Sequence, residues 1–556
     1  MLVENVPLNT RDETNRRELQ TWIQNVNNEV YGRIMTSDSS THMDPDNDQI
    51  GKIISEVLIG NLTTKITEAP IAELDGTPVQ IAELVGSKYT SNRSVEIFDL
   101  APIQRLYFHS PLGQTLTKTR VRNGQARFNQ SIFLQLNGAF GPDSVQAAIY
   151  TIMRRHPMLN CKFTPSEDGS WCQLIEPVLV GSCDFACHLE CNDADVEEGI
   201  KSAQHAIDIK HGPVFSAHYF VTADGNHTLY LAAHHLVVDL QSWFIIANDL
   251  ESILINGTLT SSSSITFEEW IRDQRRYLHR PGPAKSLPFQ LPLGNQQYWD
   301  LEDTDNVYGK VNTCSFTVGA ETLSALENMN QSPSTNLSDV FMAALLLSFA
   351  QTFPDRQVPA LWNQEYERPS FDVQHDNSET VGWFTSLCPF PLSVSPEDNI
   401  LLVISRVKGI RLASSKRNVP FFAMSFIGAD EADHFISSYV PLELLYTYVG
   451  SSLKVSSRNG LLEQIPVPGK ALKSKTSDIG NAVGRIAVFE ILISVDQGNA
   501  TVTILSPSCS HHQGQIRAWT GAYERMLKQC AEPFKDRTFI PPVLHNVKRD
   551  VSLRSL

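Results

Sequence analysis

Two adjacent histidines, His234 and His235, followed by Asp239, Ser242 and Trp243, are the side chains best suited by type and spacing to move a proton. An imidazole titrates near neutrality, so it can serve as a general base or acid at physiological pH. Upstream, Leu229, Leu231, Ala233 and His235 alternate with Tyr230, Ala232 and His234. That period predicts a strand over Thr228–His235 whose two histidines point to opposite sides. Only one of them can line a given cleft, and the other is then structural; spacing alone leaves a catalytic role for His235 open. Downstream, Leu240, Trp243, Phe244, Ala247, Leu250 and Leu254 recur at helical spacing. Asp239 therefore stands where a helix N-cap stands, and a purely structural role for it remains open. A strand end before a loop and a helix can present an imidazole to a cleft while a scaffold holds it still. Diverging neighbours on a strand make a poor metal pair, and no nearby His or Cys cluster adds ligands at a familiar spacing.

The elements that must position these residues belong to a chain of 556 residues, long enough for about three or four average domains. Its 42% hydrophobic content excludes wholesale disorder. A formal net charge of -16 argues against nucleic acid and against an anionic membrane surface as partners. Met1 to Glu18 is polar and charged, unlike a cleaved signal peptide, and the apolar run Val340–Ala350 reads as a buried helix rather than a membrane span. The nine cysteines are odd in number and scattered, which fits no disulfide framework. Cys183, Cys187 and Cys191, with His188 among them, do not match a zinc spacing. No glycine loop suited to cradling phosphate is present. These features predict a soluble, cytoplasmic protein that requires neither a metal nor a nucleotide cofactor.

A polar stretch, Ser37 to Asp48, precedes a helical pattern at Ile50, Ile53, Ile54, Val57 and Leu58. A second short helix is expected to open at Thr77-Pro78, where Thr can cap and Pro fits the first turn. From about Glu96 a large α/β region begins. Thr260–Thr266 and Arg280–Leu293 interrupt it, which predicts a lobe boundary there. Later elements include a helix from Ser338 to about Phe353 and strands over Ile486–Val495 and Ala500–Leu505, joined by Asp496-Gln497-Gly498-Asn499.

His234 to Trp243 resembles the HHxxxD signature of the condensation-domain superfamily of non-ribosomal peptide synthetases. Leu100-Ala101-Pro102-Ile103-Gln104 is similar to its LxPxQ opening, Phe128-Asn129-Gln130-Ser131 to its FNQS strand, and Arg155-His156-Pro157-Met158-Leu159 to its RHPxLR motif. Val381-Gly382-Trp383-Phe384-Thr385 resembles the VGWFT run of the epimerization subgroup. Tyr446-Thr447-Tyr448-Val449-Gly450 resembles its FNYLG run, and His512-Gln513 to Trp519 its closing helix. The resemblance covers roughly residues 96 to 540, and the ordered set is specific. It implies an α/β fold of two chloramphenicol-acetyltransferase-like lobes in a V with a central tunnel, residues 96–275 forming the N-terminal lobe and 276–540 the C-terminal lobe. Residues 1–36 look like a degenerate adenylation-domain tail, with Glu13 where a lysine is usual. Residues 48–90 look like a degenerate carrier domain, in which Pro78 occupies the position of the phosphopantetheine serine and Thr77 is one place off.

Epimerization domains pair the second His of HHxxxD with a Glu from an EGHGR-like loop. Here that loop aligns with Gln364-Glu365-Tyr366-Glu367-Arg368, which puts Gln364, an amide without basicity at neutral pH, at the Glu position. Leu240 stands where a glycine is usual. The resemblance then implies a free-standing enzyme in which His235 is the catalytic base, His234 and Ser242 support the motif, and Asp239 anchors the His loop through Arg155. Gln364, Glu365, Tyr366, Trp383, Thr385 and Tyr448 are candidates for the cleft wall. The expected reaction is a condensation or cyclisation of an amino-acid-derived or short peptide substrate, arriving free or on a carrier protein in trans. Two alternatives remain: an epimerase acting in trans with Glu365 or Glu367 replacing the lost Glu, and a non-catalytic docking partner of a synthetase.

Overall fold

Strand and helix order in the computed structural model follows from two hydrophobic periods. The structure describes residues 96–534 apart from 119–125, 167–169, 260–263, 282–285, 302–305, 329–334, 451–454, 456 and 468–477. The adenylation-like and carrier-like segments, with Glu13, Thr77 and Pro78, lie outside the described residues.

The N-terminal half supplies β1 (Glu96–Phe98), β2 (Asn129–Leu136), β3 (Cys161–Pro165), β4 (Trp171–Ile175), β5 (Asp184–Cys191), β6 (Phe215–Thr222) and β7 (His227–His234). The C-terminal half supplies β8 (Val311–Val318), β9 (Leu361–Glu365), β10 (Ser386–Phe390), β11 (Leu442–Gly450), β12 (Leu462–Gln464), β13 (Ala487–Asp496) and β14 (Asn499–Pro507). They form a small sheet β1-β4-β3, a five-stranded sheet β12-β2-β7-β6-β5 and a six-stranded sheet β10-β9-β11-β13-β14-β8. The β13–β14 hairpin joins where the turn residues predict, with Asp496 opposite Asn499. β12 comes from the C-terminal half yet pairs antiparallel with β2, Leu462 opposite Leu136. A segment of the second half therefore closes the edge of the first sheet.

β7 sits at the centre of the five-stranded sheet and is buried on both faces. Leu229, Leu231 and Ala233 face one hydrophobic cluster, whereas Tyr230 and Ala232 join Phe133, Phe220 and the helix Asp193–Ala206 in another. The six-stranded sheet is likewise covered on both sides. Leu361, Leu444 and Tyr446 belong to the core under the helices Leu337–Thr352 and Ile400–Ser414, and Trp362, Leu442 and Leu445 belong to the core shared with the first half. The run Val340–Ala350 is a fully buried helix, capped by Asn336, whose side chain accepts from the Asp339 N–H at 2.9 Å. No helix among the described residues is long and apolar enough to cross a membrane.

Candidate active site

The loop His235–Asp239 links β7 to the helix Leu240–Asn256, and the two histidines separate as their parity requires. His234 is buried beside Tyr107, with the Tyr107 hydroxyl 3.5 Å from Nε2. The Leu236 N–H donates to His234 Nδ1 at 3.2 Å, which leaves the ring proton on Nε2. Burial, with His235 adding to it, lowers the His234 pKa to about 3. The unfolded chain, with an ordinary pKa of about 6.5, therefore takes up a proton that the folded chain refuses. The stability due to neutral His234 is fully present above that value and is lost as pH falls toward about 3, by up to about 1.4 kcal/mol for each pH unit. Replacing His234 by Gln is expected to flatten the loss of urea stability between neutral and mildly acidic pH.

His235 turns the other way. Its ring packs against Phe128, at 5.3 Å and 20°, and against Trp383, at 4.4 Å and 31°. Nδ1 lies 2.8 Å from the Val238 carbonyl, which can only accept, so Nδ1 carries the proton and Nε2 the lone pair. Gln130 Nε2 lies 3.0 Å from that Nε2. Burial lowers the His235 pKa, against smaller opposing contributions from the backbone and Asp239. The ring is therefore a neutral base with its basic nitrogen defined.

Asp239 caps the helix Leu240–Asn256, accepting from the Ser242 N–H at 2.8 Å. The same buried carboxylate pairs with Arg368 Nη2 at 2.7 Å. This corrects the expected anchor: Arg155 instead pairs with Asp249 at 2.9 Å and Glu379 at 3.0 Å. Arg368 also donates to the Thr380 carbonyl and lies over the Phe384 ring at 4.3 Å. Ser242 Oγ lies 2.7 Å from Asp239 Oδ1 and accepts from the Gly382 N–H at 3.1 Å. Gly382 is required there because a Cβ would meet the Phe267 ring at 2.3 Å. The Val381–Thr385 run is thus clasped onto the His loop, and Trp383, whose indole N–H donates to Thr385 Oγ1 at 3.0 Å, is held against His235.

A second polar group comes from β9 and β11. Gln364 shares a face of β9 with Trp362; its Oε1 accepts from Thr447 at 2.5 Å and from Tyr366 at 3.4 Å. Burial raises the Tyr366 pKa, and the Asp239 carboxylate adds to the rise, which ties this polar group to the His loop. Glu365 lies on the opposite face, with Leu361. Its carboxylate is near Asn418 and Asn363, and burial raises its pKa. Tyr448 shares the Tyr446 face of β11 and meets Phe341, with ring centroids 6.2 Å apart. Glu365 and Tyr448 therefore do not share the face that carries Gln364. Thr447 does, at the position of the Asn in the FNYLG run. The parity of β11 carries that signal once one face of the strand is known.

A family model described as "Condensation domain" matches residues 96–438. The chain is 31% identical over 438 residues to the nonribosomal peptide synthetase vlms of Lecanicillium sp, a match covering 78% of this chain and 5% of that protein. Among solved structures, the epimerization domain from the third module of tyrocidine synthetase B superposes with a TM-score of 0.62 at 18% identity, covering 79% of this chain and 97% of that one. The condensation domain of the Monacolin K polyketide synthase MokA gives 0.57 at 15% identity, covering 80% and 99%. The chain belongs to the condensation-domain family, and its fold is the chloramphenicol-acetyltransferase-like fold of condensation and epimerization domains.

Proposed function

We propose that the chain is a condensing or ring-closing enzyme of peptide or alkaloid natural-product biosynthesis, with His235 as its acid–base group. The observations that support this reading are a neutral, tautomer-defined His235 and an uncharged Gln364, bonded to Thr447 and Tyr366, at the position of the usual Glu. Epimerisation at Cα needs a proton removed from one face and another delivered to the opposite face, and Gln364 cannot serve as the second base. A single base suits deprotonation of an amine before attack on a carbonyl or imine, or proton loss that rearomatises a ring. Holding two reacting groups together in a closed site can supply much of the rest, about 7–11 kcal/mol when the geometry is good. The substrate is amino-acid-derived or a short peptide, arriving free or on a carrier protein in trans.

The position of Glu365 on the face of β9 opposite Gln364 counts against its use as a replacement base. The test is restoration of a gene deletion in the organism that carries the gene, with product measured by mass spectrometry. Glu365→Gln is expected to restore wild-type levels. A loss as deep as that of a His235 variant, at equal folded protein, would favour the epimerase reading instead.

A further inference from the structure

Both ring nitrogens of His235 have a partner. Nδ1 is spent on Val238, and the Phe128 and Trp383 rings both pack against the imidazole. Nε2 is met by the Gln130 amide at 3.0 Å. Gln130 is on β2 opposite Ala233, so it shares a face of the sheet with His235. Its orientation is fixed independently: the Trp243 indole N–H can only donate, and it lies 3.2 Å from Gln130 Oε1. The oxygen is thereby assigned to Trp243 and the NH2 to His235, so the relay runs Trp243 N–H to Gln130 Oε1, then Gln130 N–H to His235 Nε2.

We propose that Gln130 is a positioning residue: it holds the His235 ring in the Nδ1–H tautomer and is the group that a substrate must displace to reach Nε2. The proposal rests on reading His235 as the base. A hydrogen bond donated to the neutral form disfavours protonation, so this contact works in the same direction as burial. It also prevents the unliganded base from taking a solvent proton. On substrate entry the displaced NH2 can turn to a substrate carbonyl while Oε1 stays on Trp243. No covalent step is involved, only an exchange of hydrogen-bond partners at Nε2.

The test uses the full chain labelled with 15N in its histidine rings, with His235→Ala to assign the signal. In the wild type, His235 Nε2 is expected to resonate as an unprotonated, hydrogen-bonded nitrogen. In Gln130→Met, which keeps the length but has no donor, Nε2 is expected to move toward a free imine nitrogen and the protonation midpoint to rise. Gln130→Asn, polar but shorter, is expected to do the same and covers the case in which the Met variant fails to fold. An Nε2 shift and a midpoint unchanged from wild type in either folded variant would overturn the proposal. This readout needs no substrate. Should His235→Ala restore full product while Gln130→Met still shifts Nε2, the hydrogen bond stands but its role in positioning a base does not.

Discussion

Replacing His235 by Ala is expected to reduce product formation by about a hundred- to ten-thousand-fold, the range that a positioned general base contributes. In the proposed reading the imidazole is the acid–base group, and its basic nitrogen is defined because Val238 fixes the proton on Nδ1. Truncation should also leave the fold intact. His235 follows the end of β7, and its backbone N–H bond to the Phe128 carbonyl, at 2.8 Å, does not depend on the side chain. The measurement is product level in a deletion strain carrying wild type or His235→Ala at matched protein abundance. Full restoration by the variant would make the histidine motif structural and would favour a docking role.

The second large effect falls on stability. Asp239→Ala removes the carboxylate facing Arg368, whose side chain is 9% exposed, and strips the cap from the helix Leu240–Asn256. Breaking a buried pair by deleting one partner costs about 3–5 kcal/mol, because the other charge is left uncompensated. Urea denaturation should show that loss directly. Adding Arg368→Met to Asp239→Ala should recover part of it, since the stranded guanidinium is then gone. If the double variant were less stable by the sum of the two single losses, the clasp would not be a coupled pair.

What was legible in the sequence is what local periodicity encodes. The period-two run ending at His234 separates the two imidazoles, and the helical run from Leu240 places Asp239 at its cap. The order of motifs from Leu100 to Trp519 was enough for the fold. Tertiary pairing was not legible: Asp239 and Arg368 are 129 residues apart, and Arg155, the partner expected from its motif, is committed to Asp249 and Glu379. The faces of β9 and β11 were hidden for a different reason. Both faces of that sheet are buried, so alternation shows that Thr447 and Tyr448 differ in side but not which side meets the His loop. The crossing of β12 onto β2 also leaves no local mark, since a three-residue strand has too few residues to show a period.

Reading His235 as a lone base has a chemical consequence that can be read from the metabolites. The most direct measurement compares the precursor that accumulates in the deletion strain with the product restored by the wild-type gene, for connectivity by fragmentation and for configuration at every Cα. A new covalent bond in the product, with each Cα configuration kept, is the result expected of a condensing or ring-closing enzyme. A precursor and product with the same connectivity, differing only by inversion at one Cα, would contradict it.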